Sequence, residues 1–511
     1  MLDFPERRTT NRGETGLNKN TVVDLPQGFC HFGQARGDIT PPVGIYHRMW
    51  GAALHDQAEG VHRPLTATAL VFQAAGQPAG PATEVVVLAV DHCILGTREM
   101  DDLIDSVCAP PRLRQPDTEP LPPLQRHQIL VAFSHTHAAG LMDRVRGNLP
   151  GGEFIGPYLD DMNRKLNELV ATARRSCRPA SLTFATGHCA LAAHRDLQDT
   201  VRGQIVCGYN PEGPADDTLL VARVSDEANQ TITTIVNYAC HPTTLAWENR
   251  LISPDFPGAM RELVEQSTEA PCVFLQGASG DLGPVEGFVG DPAVADRNGR
   301  QLGYAALSVL ETLPQPFTRF QYAGPVVSGA TLGPWVHVPL GEQERESKSR
   351  WRFKSATVPI AYRTDLPTLD EAQAERARYA AEEVTARAAG DILKARDCRA
   401  MVERRDRQLR WLANQPKEQF FPLPMTLWQT GDAIWLAVEC EPYHILQRSL
   451  RDRFPDTPIM VMTVVNNSRA SYLPPRESYG KGIYQESIAV LGPGCLETLI
   501  DAAAEQIADW L

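Results

Sequence analysis

The residues able to do chemistry lie where apolar runs stop. Val85–Val90 runs into Asp91-His92, Ile129–Phe133 into Ser134-His135-Thr136-His137, and Thr231–Ala239 into the segment carrying His241. Cys272–Leu275 runs into Gln276-Gly-Ala-Ser-Gly-Asp281, and Ile434–Val438 into Glu439-Cys440-Glu441. Imidazole is the commonest zinc ligand, and residues two apart in an extended chain point to one side, so His135 and His137 are expected to face one cleft. The same spacing also suits a hydrogen-bonded pair of half-buried histidines. His241 can equally be a satisfied core histidine, and Glu441, just before Pro442, can interact with a helix N-terminus. Taken together, two histidines and a glutamate form the His₂Glu set of catalytic zinc sites. The residue types alone leave these readings open.

Five such endings ask for a scaffold that brings strand ends together. In α/β sheets the clefts open beyond the strand ends, where residues distant in sequence converge. The sequence predicts an α/β fold, with mixed β-sheets flanked by helices and a helical pair inserted. Strand-length apolar runs alternate with helical patterns from Gly28 to about Leu313, and the rhythm returns from Met425 with buried strands at Ile434–Val438 and Ile459–Val465. Pro157 precedes an amphipathic helix carrying Met162, Leu166, Leu169 and Val170, and Leu496–Leu511 closes the chain as another. The Pro-rich stretches Ala109–Pro123 and Asn148–Pro157 are expected as surface loops. Gly277–Pro284 lacks the Gly-Lys-Ser/Thr of a phosphate loop and reads as a tight turn. In Ser253-Pro-Asp255-Phe-Pro-Gly258, Asp255 either orients a histidine or caps the helix that follows. The Ala-, Glu- and Arg-rich stretch 368–414, broken at Gly390, reads as a helical pair: a solvated arm, a homo-oligomer contact, or a lid over the active site.

The chain has 511 residues, 43% hydrophobic and 22% charged, the make-up of a globular protein with an ordinary core. Its net charge of −13 argues against nucleic acid or an anionic membrane as partner, both of which need a basic surface. The expected partner is a small-molecule substrate. Eleven scattered cysteines, an odd number without any CxxC, suit free thiols in a reducing compartment. The N-terminus has no apolar core of a signal peptide, and no apolar run approaches the length of a span, so a cytoplasmic location without stable membrane insertion is expected. Residues 1–24 read as a flexible tail, and 25–511 as a single catalytic domain.

In order and separation these elements resemble the neutral/alkaline ceramidase family of zinc amidases. The matching residues are Asp38-Ile-Thr-Pro-Pro42, Ser134-His-Thr-His137, His194-Arg195, Cys240-His241-Pro242, Ser253-Pro-Asp255, Gly280-Asp281, Ala437-Val-Glu-Cys-Glu441, and Tyr472 followed by Tyr484. The resemblance spans roughly residues 28–325 and 425–500. It implies that His135, His241, Glu441 and Tyr472 hold Zn²⁺, while His137, Arg195 and Tyr484 line the catalytic cleft. Gly283, Asp281 and Arg476 are the expected substrate contacts. The sequence departs from the family in three ways. Gly283 stands where the family's Gly-Asp-Val-Ser-Pro motif has a serine implicated in catalysis. The usual N-terminal signal and C-terminal immunoglobulin-like domain are not expected here either. The implied activity is hydrolysis of an amide bond in a small polar or amphiphilic molecule by metal-activated water. The alternatives are an ester, lactone or sugar N-acetyl hydrolase on the same metal, or a non-catalytic binding relative.

Overall fold

The computed structural model describes residues 21–110, 120–414 and 418–511. Its frame is two β-sheets face to face, with helices on the outer faces. The larger sheet comprises β1 (Gln27–Asp38), β2 (Thr66–Ala74), β3 (Glu84–Val90), β4 (Ile129–Phe133), β5 (Arg178–His188), β6 (Thr218–Asp226), β7 (Thr231–Tyr238) and β8 (Cys272–Gln276). They lie in the order β8-β7-β6-β5-β1-β2-β3-β4. The pairs β7–β8 and β3–β4 are parallel and the others antiparallel. The smaller sheet runs β9 (Trp351–Ile360), β10 (Phe421–Thr430), β11 (Ala433–Val438) and β12 (Ile459–Met462), with β11–β12 parallel. This is the expected α/β class.

The strands are apolar throughout because both faces of each sheet are covered. Period-two alternation divides their side chains: Val86, Leu88 and Val90 of β3 pack outward under helices 97–108 and 155–175, while Val85 and Val87 point between the sheets. Opposite them, Trp428 and Trp435 stack with centroids 5.2 Å apart at the centre of the inter-sheet core. Helices 256–268 and 292–310 cover the other half of the large sheet's outer face. Helices 445–453 and 495–508 cover the small sheet. The helix expected after Pro157 begins two residues earlier, at Ile155. Proline is tolerated there because the first-turn amides have no intrahelical partner.

The larger sheet curls until its two edges approach each other, and the segment after β12 bridges them. Thr463 donates its amide to Gln276 O at the end of β8 (3.0 Å), and Asn466 donates to Val131 O on β4 (2.9 Å). Val131 in turn donates to Asn466 Oδ1 at 2.8 Å. Strand ends from opposite edges of one sheet thereby reach a single place.

The helical pair consists of Leu369–Ala388 and Ile392–Ala413, with Gly390 at φ 72° in the turn between them. Thr368 and Glu371 cap the first helix reciprocally. The second helix is fastened to the body by a buried Arg146–Glu403 ion pair, by Arg410–Asp143, and by Trp411 Nε1 donating to Arg469 O. Of the expected N-terminal tail, residues 1–20 lie outside the described residues, as do 111–119 of the first Pro-rich stretch. Val22 and Val23 pair with Gln321 and Phe320 as a short strand. All eleven cysteines are unpaired, and among the described residues no helix is long and apolar enough to cross a membrane.

Candidate metal centre

Each of three donor candidates follows the C-terminal end of a strand: His135 after β4, His241 after β7 and Glu441 after β11. Tyr472 is carried on a two-residue strand that pairs in parallel with Glu441 and Pro442. All four are buried. His135 is not in extended backbone: its φ is +67°, a region costly for a residue with a Cβ. The strand alternation expected for His135 and His137 therefore does not apply, because the chain turns at His135 instead of running on. Both still line one cleft, with rings 4.9 Å apart and perpendicular.

Both metal-facing imidazoles have a fixed tautomer. His135 Nδ1 lies 2.9 Å from Cys93 O, and His241 Nδ1 lies 2.7 Å from Ser279 O. A carbonyl only accepts, so each Nδ1 carries a proton, and with a divalent ion bound each Nε2 would present its lone pair. The two Nε2 atoms are 3.2 Å apart, and each is 3.5 Å from Glu441 Oε2. Tyr472 Oη is 3.4 Å from His241 Nε2. Ligand atoms bonded tetrahedrally to zinc at about 2.0–2.1 Å lie roughly 3.3–3.4 Å from one another, so this spacing fits one divalent ion. Ser468 Oγ donates to Glu441 Oε1 at 3.0 Å and fixes the carboxylate's other oxygen. Burial alone would raise the Glu441 carboxyl, but hydrogen bonds and attraction to His135 and His241 hold it well below the usual range. Burial, helped by the charge of Arg195, pushes His241 down to about 3, so its nitrogen stays free of a competing proton.

His137 stands beside this set with its Nε2 buried and unpartnered. Burial first, then His135 and His241, keep it well below the usual histidine range and hence neutral. Its ring packs 5.2 Å from Trp50, which meets Trp247 and Phe288 edge-on to form an apolar wall. The cleft has a volume of about 1060 Å³, with Glu441, Tyr472 and Tyr484 also in its lining. Tyr484 is 41% exposed, and its ring centroid is 5.9 Å from that of Tyr472.

The other expected site residues are placed differently. Arg195 is buried and outside the cleft lining: it donates to Gly280 O at 2.6 Å and stacks 5.5 Å over the Tyr472 ring. Asp281 does not reach the cleft, because His444 takes its carboxylate through both the backbone amide (2.8 Å) and Nδ1 (2.5 Å). Gly283 is buried on a short strand paired with Ala193, and a Cβ there would meet only Thr243 Oγ1 at 3.7 Å and Arg195 Cδ at 4.0 Å. Arg476 opens the short turn 476–478 and packs against the N-terminal end of helix 495–508, its amide donating to Glu497 and its guanidinium against Gly494, outside the cleft lining. Asp255 caps its helix: its carboxylate accepts from Phe256 N and Leu245 N and touches no histidine. Trp50, Cys93, Ser279 and Ser468 serve the site without any mark in the sequence, since their part is a ring face, two backbone carbonyls and one hydroxyl.

No family model and no curated protein matches the chain. Solved structures do. Neutral ceramidase from Pseudomonas aeruginosa superposes with a TM-score of 0.59 over 95% of this chain and 75% of its own, at 16% identity. A ceramidase complexed with C2 superposes with a TM-score of 0.59 over 94% and 74%, also at 16% identity. The fold is neutral-ceramidase-like. Within that ceramidase-like frame, His135, His241 and Glu441 form a potential metal-binding group, and Cys93, His135 and His137 form a second that shares one histidine. The first supplies the harder donor set and the more regular spacing for a hydrolytic ion.

Proposed function

We propose that this chain is a zinc-dependent hydrolase that cleaves an amide bond in a small polar or amphiphilic molecule. The observation that carries this reading is the convergence of His135 Nε2, His241 Nε2 and Glu441 Oε2 at 3.2–3.5 Å beside a cleft of about 1060 Å³. The ceramidase-like fold supports it. His135, His241, Glu441 and Tyr472 would hold a zinc ion, which when bound would polarise a carbonyl as a Lewis acid and acidify water. His137, neutral and with a free Nε2, would accept a proton from the attacking water and return it to the leaving amine. The Tyr484 hydroxyl would donate to the developing oxyanion, and Arg195 would keep positive charge against the Tyr472 ring. The aromatic wall of Trp50, Trp247 and Phe288 would keep bulk water from His137.

Gly283 offers no hydroxyl where ceramidases carry serine, so long-chain ceramide would be a poor substrate and a smaller amide a better one. Residues 25–511 would work as one catalytic unit, since the donors come from positions 135 to 472. A folded, zinc-loaded fragment 1–345 would contradict that unity. Elemental analysis of the purified chain should find about one zinc equivalent. The loaded protein should then hydrolyse members of a panel of short N-acyl compounds, run beside esters, lactones and labelled ceramide. Absence of zinc, or a panel with no amide cleaved, refutes the reading, and efficient ceramide turnover with short amides untouched refutes the inference from Gly283.

A further inference from the structure

One wall of the cleft is the second arm helix, and its residues there are basic. Arg404, Arg407 and Trp411 recur at helical spacing along the cleft side, and Arg469 stands next to Trp411, whose indole donates to its carbonyl oxygen. Most arginines around the cleft are spoken for: Arg146 by Glu403, Arg363 by Asp365, Arg405 by Glu375 and Arg410 by Asp143. Arg404, Arg407 and Arg469 are not; the exposed Arg98 elsewhere in the lining also has no ion pair among the described residues. Among the described residues none of the three has a carboxylate within 4.0 Å. Arg404 makes one side-chain bond, to Ser487 O at 3.3 Å, and its Nε is buried with no partner. Burial weakens its hold on its proton, the expected effect when a guanidinium leaves water without a counter-charge. In a chain of net charge −13, guanidinium groups gathered on one cleft wall with no carboxylate within 4.0 Å are a local departure from the protein's overall charge.

We propose that these arginines bind an oxyanion, a carboxylate or a phosphate, carried by the substrate. The inference rests on the amide-hydrolase reading and names the substrate class for it. Guanidinium groups recognise such groups by paired, charge-assisted hydrogen bonds. The spacing says where on the substrate the anion sits. Tyr472 Oη is 3.4 Å from His241 Nε2, Tyr484 packs on Tyr472, and Arg404 and Arg407 are close enough to Tyr484 to interact with it electrostatically. The guanidinium groups are thus on the Tyr484 side of the cleft, and the anion is placed there, apart from the scissile carbonyl.

The test is binding, so that it does not depend on turnover. The probes are N-hexanoyl-5-aminopentanoate, its uncharged carboxamide, and N-hexanoyl-4-aminobutyl phosphate, titrated calorimetrically into the full chain as purified and after chelation. The acid should bind at least about tenfold tighter than the carboxamide, as expected for hydrogen bonds to a charged group. Whichever anion binds tighter identifies the group carried. The preference should survive chelation, because the arginines and not the metal create it. It should fall to about twofold or less in R404Q/R407Q and weaken in about 0.5 M salt. Arg407 is exposed, so R407Q alone should fold and lose a clear part of the preference even if the double variant fails to fold. Equal binding of acid and carboxamide by the parent overturns the proposal, as does an R407Q protein that matches the parent. A preference that persists while no amide is hydrolysed supports the anion site and refutes only the amidase reading.

Discussion

Glu403→Leu removes the buried anchor of the arm. The Glu403 carboxylate lies 3.0 Å from Arg146 and 3.0 Å from Arg399, and the Arg146 and Glu403 side chains are only 6% and 7% exposed. Arg146 also donates to the Tyr46 hydroxyl at 3.0 Å and stacks over that ring, so it cannot swing out to water. Breaking a buried pair from one side leaves an uncompensated charge and costs about 3–5 kcal/mol. The bond to Tyr46 remains, and Arg399 is free to re-solvate, which puts the expected cost near the lower end, about 3 kcal/mol. Hydrogen exchange across Ile392–Ala413 reads this directly, because local opening by about 3 kcal/mol more raises exchange roughly 100-fold. Arg146→Met combined with Glu403→Leu takes away both charges and should exchange more slowly than Glu403→Leu alone, by a coupling of about 2 kcal/mol. The pH dependence has a defined sign. Burial works against ionisation, but Arg146 and Arg399 hold Glu403 below its ordinary value of 4.5. Its contribution is therefore complete above that value and fades as pH falls through the lower folded one. Arm exchange within about threefold of the parent in Glu403→Leu would refute the anchor, since a cost of about 3 kcal/mol cannot hide there.

His241→Ala should leave the purified protein with almost no zinc, whereas Arg476→Ala, away from the donors, should keep it; equal zinc in parent and His241→Ala would show the ligand set to be wrong. His92 Nε2 is 2.6 Å from Tyr158 Oη, which itself donates to Ile39 O, so the imidazole must donate and its buried Nδ1 stays bare. Burial pushes this histidine down to about 4, so stability is complete above the unfolded value of 6.5 and is lost as pH falls from there toward 4. The loss amounts to roughly 3 kcal/mol, and His92→Asn should flatten the fall of the urea midpoint over that range; an unchanged slope counts against it. In Gly283→Ala the added Cβ meets only ordinary contacts, at 3.7 and 4.0 Å. This variant should unfold within about 0.5 kcal/mol of the parent and keep its zinc, and a chain that fails to fold would contradict the space seen there.

Strand ends were legible because apolar runs such as Val85–Val90 and Ile129–Phe133 are bounded sharply by polar residues, and burial on both faces leaves few other ways to fold them. The candidate donors could be named because His135, His241 and Glu441 each follow an apolar run. The backbone at His135 was not, since a positive φ is a product of its surroundings and leaves no trace in residue type. Asp281 and Arg476 were misplaced for a related reason: composition marks a charge but not its partner, and His444 and the 495–508 helix claim these two. The arm read correctly as two helices, yet its side chains looked like a solvated face. Glu403 and Arg146 are 257 residues apart, and only the fold makes that pair buried. The same distance in sequence hides the arginines that face the cleft.

The bridging of the large sheet's two edges by Thr463–Asn466 has a consequence for the chain as it is made. His135 follows the edge strand β4 and His241 follows β7, the neighbour of the opposite edge strand β8, and neither edge is satisfied until residues 459–472 have been synthesised. At about 5–20 residues per second, the interval between the appearance of His241 and of Tyr472 is on the order of 10–50 s. Throughout that interval β4 and β8 expose unpaired amides and carbonyls, a template on which a neighbouring nascent chain can add a strand. For most of that interval the three histidines 135, 137 and 241 exist without Glu441. Assembly of the full donor set is thus a late event, and aggregation of this protein should be governed by how fast residues 459–472 find the open sheet.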